Sequence, residues 1–146
     1  GELERENFEQ IEITLPLDKS ITAKNNSLQA AQKRYTQAAQ LNVQEFTTAS
    51  TFHLGQLYAD MSLALVNSER PQGLDELELE EYEFIIEEQV FPLEEAAIEI
   101  HQTNSGRTRD GLYDRWIKNS FSSLAKLMPG QYNKQERVIT YVDQIR

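Results

Sequence analysis

Apolar residues recur along this chain every three to four positions, the period of helices packed on a core. From Glu2 to Leu15, Phe8, Ile11 and Leu15 keep that spacing between acids, and a short helix is expected. Ile11 to Leu15 also alternates like a strand, but no second strong strand exists to pair with it, and an isolated strand is unstable. Pro16 then bends or restarts the chain. A second helix is predicted from about Leu17 to Gln40, with Leu17, Ile21, Leu28, Ala31, Tyr35 and Ala38 on one stripe and Lys24, Lys33 and Gln37 on the polar face. Asn42 followed by Glu45 reads as a capping box. It opens a third helix from about Val43 to Asn67 that presents Phe46, Leu54, Leu57, Tyr58, Met61 and Leu65. The short loop before it makes these two helices antiparallel neighbours.

Ser68 to Leu74 is a turn, since Pro71 and Gly73 both oppose helix continuation. A long helix follows from about Leu77 to Asn104, capped by Asp75 with Glu78, and Gly106 and Gly111 both mark possible ends. A further helix holds Tyr113, Trp116, Ile117, Ser120, Phe121, Leu124 and Met128, and Pro129-Gly130 stops it. Gln135 to Arg146 has the pattern of one more helix, through Val138, Tyr141, Val142 and Ile145.

In projection the long helix carries two apolar faces. A broad core arc contains Leu79, Ile86, Leu93 and Ile100, with Tyr82, Gln89 and Ala96 on one side and Val90 and Ala97 on the other. Roughly opposite stands a narrow ridge of Leu77, Phe84, Phe91 and Ile98, edged by Glu81, Glu88 and Glu95 and by Glu80, Glu87 and Glu94. The simpler expectation is that another helix of this chain covers the ridge. In the other reading it is partly open and receives a helix or extended segment with apolar anchors and flanking Lys or Arg. Pro92 has no amide to donate to Glu88 and crowds that carbonyl, so a kink is expected that lets the helix wrap its neighbours.

Charge sharpens this picture. Asp75 to Glu99 holds eleven acids and no Lys or Arg, whereas the other acids nearly balance the 14 basic residues, so the net charge of −10 belongs to one helix. Scattered bases on an acidic chain argue against nucleic acid. With 146 residues and few Gly or Pro, the chain suits one all-helical domain. It has no cysteine, and its longest apolar run, Leu63 to Val66, is far too short to span a membrane. It opens on Gly1, which fits a fragment of a longer protein.

No catalytic pattern stands out. The acids form a solvated stripe and lack a cleft that would drive two carboxyl pKa values apart. The two histidines, His53 and His101, lack metal-ligand spacing. His101 shares a column with Glu94 and Glu87, so at most a weak surface cation site is conceivable, and His53 is expected at a core boundary. Trp116 and the tyrosines are most simply core residues. No cofactor, metal or enzymatic activity is expected.

Leu54-Gly55-x-x-Tyr58 resembles the first helix of a tetratricopeptide repeat, in which a small Gly allows close helix approach. Ala31-x3-Tyr35-x2-Ala38 and Phe121-x2-Leu124-x4-Pro129 resemble second helices of neighbouring repeats. The segments beginning at Phe46, Ser68, Glu87 and Tyr113 are similar to the C-terminal part of large tetratricopeptide-repeat (TPR) proteins of Gram-negative bacteria. That likeness runs from about Leu15 to Glu136. The resemblance implies antiparallel hairpins stacked in a right-handed superhelix, in the periplasm or at the outer membrane, with the cytoplasm left open. The implied role is a non-catalytic protein-interaction or scaffold module. A purely structural C-terminal cap of a longer superhelix is the alternative.

Overall fold

Helix starts in this chain coincide with local signals. Pro16, whose ring fixes φ, stands immediately before one helix; Asp75 and Asp114 each accept hydrogen bonds from the first-turn amides of two others. The computed structural model describes residues 1–41 and 43–132. Those residues form α1 (Glu2–Gln10), α2 (Leu17–Ala39), α3 (Gln44–Val66), α4 (Glu76–Gly106), a 3-10 turn (Arg107–Asp110), α5 (Arg115–Leu127) and the single-turn α6 (Pro129–Tyr132). No strand occurs among the described residues. The segment from Gln135 onward, read above as a further helix, lies outside them.

Successive helices run antiparallel. Glu2 and Glu4 of α1 meet Tyr35 and Arg34 near the end of α2. Thr47 donates to the Ala39 carbonyl at 3.0 Å, and His53 stacks on Tyr35 with centroids 5.4 Å apart. Asn104 of α4 donates to the Thr48 carbonyl of α3 and the Trp116 carbonyl of α5. The centre is α3, which packs against α2, α4 and α5. Being surrounded, it buries small residues on several sides, Thr48, Ser50, Gly55, Ala59 and Ser62 beside Leu57, Met61 and Leu65. The main core joins Leu57, Met61 and Leu65 to Phe8, Ile13, Leu28, Ala31, Tyr35, Ile86 and Val90.

Several expectations are corrected. The first helix ends at Gln10, not Leu15; the next residues are non-helical, Ile13 is buried and Leu15 exposed. Ile13 joins the core there, and Lys24 and Ser20 of α2 donate to the carbonyls of Ile11 and Thr14. Lys24, assigned to the polar face of α2, is only 5% exposed. Its Nζ donates to the carbonyls of Phe8 (3.1 Å) and Ile11 (2.7 Å) and lies 4.2 Å from the Phe8 ring centroid. Both carbonyls lie where α1 ends: that of Phe8 also accepts from the Ile11 amide at 3.3 Å, and that of Ile11, past the last turn, takes its hydrogen bond from the ammonium, so the buried charge is met by two acceptors. The N-cap of α3 is Val43, with no side-chain cap; Asn42 lies outside the described residues. Phe46, placed on the core stripe, is 54% exposed. Tyr113, placed on the last long helix and read as core, precedes α5 and is exposed. As expected, α5 stops just before Pro129-Gly130, at Leu127, although Met128, placed on it, is its C-cap; Pro129 then opens the separate single turn of α6.

The capping box at the start of α4 forms in full: Glu78 N donates to Asp75 Oδ1 and Asp75 N to Glu78 Oε2, both at 2.9 Å. The helix runs on through Pro92 to Gly106, and Gly111, at φ +78°, terminates the 3-10 turn in the left-handed conformation glycine favours.

Candidate docking surface on the acidic helix

The ridge of α4 is largely bare among the described residues. Leu77, Phe84 and Phe91 are 65%, 59% and 62% exposed, and no helix among the described residues covers them. Facing and register explain it together: Phe91 lies opposite the core arc, and the residues before about Ile86 extend past α3. With Asn104 level with Thr48, antiparallel pairing brings the end of α3 at Val66 level with about Ile86. The first turns of α4 overhang that end, and Leu79, assigned to the core arc, is exposed with them, as is Ile85. Leu77, Phe84 and Ile85, with Glu80 and Glu81, line a shallow depression of about 420 Å³.

Ile98, the fourth ridge residue, is half-buried. A straight helix drifts about 20° per heptad, so a column of residues seven apart turns gradually toward the core face. Ile98 thereby enters a cleft of about 360 Å³ between α3, α4 and α5, lined also by Leu63, Glu94, Lys126 and Leu127. The structure thus brings Leu77, Phe84 and Phe91 together on one open surface, and Ile98 lies at its inner end. Glu81, Glu88 and Glu95 are exposed beside it, as are Glu80, Glu87 and Glu94. Among the described residues none of these six takes part in an ion pair. By contrast Glu83 is held by Arg70 through two bonds of 2.6 and 3.0 Å, which lower its carboxyl pKa. Arg70 also donates to the Val66 and Ser68 carbonyls, tying the turn after α3 to α4.

At the other end of α4 lies a polar cluster that the spacing did not disclose. His101, read above as a possible surface ligand beside Glu94 and Glu87, is fully buried, so that cation site does not exist. The same helical drift carries it to the core face, where α3 and α5 close over it. Its Nδ1 is 3.3 Å from Ser120 Oγ, its ring abuts Gly55, and burial pushes its pKa down to about 4. Buried Asn104 donates to Ser120 Oγ (2.8 Å) and the Thr48 carbonyl (3.1 Å) and accepts from Arg107 (2.8 Å). Thr48 Oγ1 donates to Asp114 Oδ2 (2.6 Å), whose other oxygen caps α5. The cluster locks α3, α4 and α5 in register. Continuing the Val90, Ala97 column by seven residues reaches Asn104, a signal that was available. His53 is half-buried at the core edge, as expected, and Trp116 packs with it and with Phe52.

No protein-family model, curated protein or solved structure matches this chain.

Proposed function

We propose that this chain is a non-catalytic protein-interaction or scaffold module whose docking surface is the α4 ridge. The observation that carries the reading is the exposure of Leu77, Phe84 and Phe91 between glutamates that have no ion-pair partner among the described residues. Burying a Phe contributes on the order of 2 kcal/mol, whereas each exposed ion pair contributes roughly 0–1. Packing therefore sets affinity, and the glutamates set the sign of the partner, a protein or peptide with apolar anchors and basic flanks. The fold belonging to this reading is a TPR-like right-handed superhelix with α4 bent at Pro92. Antiparallel consecutive helices, α3 touching both α4 and α5, and Gly55 pressed against α4 support it. The proposed setting is the Gram-negative cell envelope, in the periplasm or at the outer membrane. No helix among the described residues is long and apolar enough to cross a membrane.

The test is capture from Gram-negative envelope extract by the immobilised chain, compared with the Phe84→Ala/Phe91→Ala double variant. A specific partner should be lost while the variant keeps its helical circular dichroism and melting midpoint. Equal capture of a partner by both proteins would remove the ridge from consideration, and capture of none by either would favour the structural-cap alternative.

A further inference from the structure

The pattern along the ridge is stricter than an apolar stripe with acidic edges. Leu77, Glu80-Glu81, Phe84, Glu87-Glu88, Phe91, Glu94-Glu95 and Ile98 form an uninterrupted heptad series, apolar-x-x-Glu-Glu-x-x. One apolar side chain and one pair of carboxylates therefore alternate every half heptad along one face. The exposed part of that face has no covering element among the described residues.

Resting on the docking reading above, we infer that the occupant of this surface is an amphipathic α-helix with the complementary heptad, an apolar residue alternating with a Lys or Arg pair. Spacing discriminates between helix and strand. Ridge residues seven apart are about 10.5 Å apart along the axis, and a second helix repeats at the same distance. An extended segment presents same-face side chains about 6.7 Å apart, so it meets one ridge residue in register and misses the next. An extended backbone would also find no sheet edge here to satisfy its amides. Charge discriminates against a second copy of this chain. Two parallel ridges would oppose glutamate pairs to glutamate pairs, and antiparallel ridges slipped by half a heptad would bury carboxylates against Phe. From Leu77 to Ile98 the surface is about 32 Å long, which three heptads of helix fill. At its inner end Leu63 and Leu127 flank Ile98 and provide the terminal apolar contact.

The test uses the whole chain and three synthetic 21-residue peptides. The first repeats Leu-x-x-Lys-Lys-x-x, the second has the same composition with its three Leu placed at alternate positions i, i+2 and i+4, and the third replaces each Lys of the first by Glu. Fluorescence anisotropy should show the first binding at least tenfold more tightly than the other two, with a gain in peptide helicity. Its affinity should fall at least tenfold with Phe84→Ala/Phe91→Ala and also with Glu81→Lys/Glu88→Lys, and it should weaken as salt rises. If the alternating peptide binds as well as the heptad peptide, and both lose affinity with the Phe variants, the ridge docks partners but the helical occupant is wrong. If neither peptide responds to the Phe variants, the docking reading itself fails. A dimer at neutral pH that dissociates with Phe84→Ala would identify a second copy as the occupant and overturn the inference.

Discussion

Adding one methyl group at Gly55 measures how tightly α3 and α4 are packed. A Cβ there would sit 2.7 Å from His101 Nε2, 2.8 Å from Cε1 and 2.9 Å from Cδ2, closer than carbon contacts of about 3.5–4.0 Å allow. The ring has little room to retreat, because Ser120 holds Nδ1 and Phe52 packs beside it at 5.6 Å between centroids. In an exposed helix interior, Gly→Ala stabilises by about 1 kcal/mol. Overpacking a filled site costs about 1–3 kcal/mol. With the ring boxed in, the upper part of that range applies, and Gly55→Ala should destabilise by about 1–2 kcal/mol in urea denaturation. The cycle with His101→Ala isolates the cause. Once the ring is gone, Gly55→Ala should reverse sign and stabilise by about 0.5–1 kcal/mol, a coupling of about 2 kcal/mol. Stabilisation by Gly55→Ala alone, or additivity in the double variant, would refute the close packing.

Three further outcomes follow from buried polar groups. Because the His101 pKa falls from 6.5 in the open chain to about 4 in the fold, stability should be level above pH 6.5 and fall progressively between pH 6.5 and 4 as the unfolded state takes up the proton. That loss is roughly 3 kcal/mol, and His101→Gln should flatten the slope except for a same-sign share from half-buried His53, whose pKa is also lowered. Lys24→Met removes the donor to the Phe8 and Ile11 carbonyls and should destabilise by about 1–3 kcal/mol, with faster amide exchange in α1 as the local readout. Asp114→Ala removes the cap on the Trp116 and Ile117 amides and the acceptor for Thr48; it should cost about 1–2 kcal/mol by thermal melting, with Asp114→Asn recovering part of it.

The same contacts explain why the chain's surface is uneven. Polar groups join α3, α4 and α5 at the Asn104 end, whereas the Leu77 end projects past α3 and keeps its apolar side chains in solvent. Leu77 and Phe84 lie in the overhang, whereas Phe91 is level with Met61 of α3 and is bare because the ridge lies opposite the core arc.

What the chain determined locally is what a single helix can encode. The bounds of α2 and α3 followed to within a residue or so from period and proline, although the cap expected for α3 did not form, and α5 stops before Pro129. The Asp75–Glu78 box formed because both partners lie within one turn. The alternation of ridge residues with glutamate pairs is likewise a property of sequence and helical pitch alone. Burial was not local. Lys24 went inside because the end of α1 offered its ammonium the Phe8 and Ile11 carbonyls as acceptors, and His101 because α3 offered a glycine at the level of its ring. Leu79 stayed outside because its stripe extended beyond the end of α3, and Phe46, in the first turn of α3, is exposed as well. Periodicity states which residues share a face. Only the lengths and register of the packed neighbours decide which part of that face meets protein and which meets water.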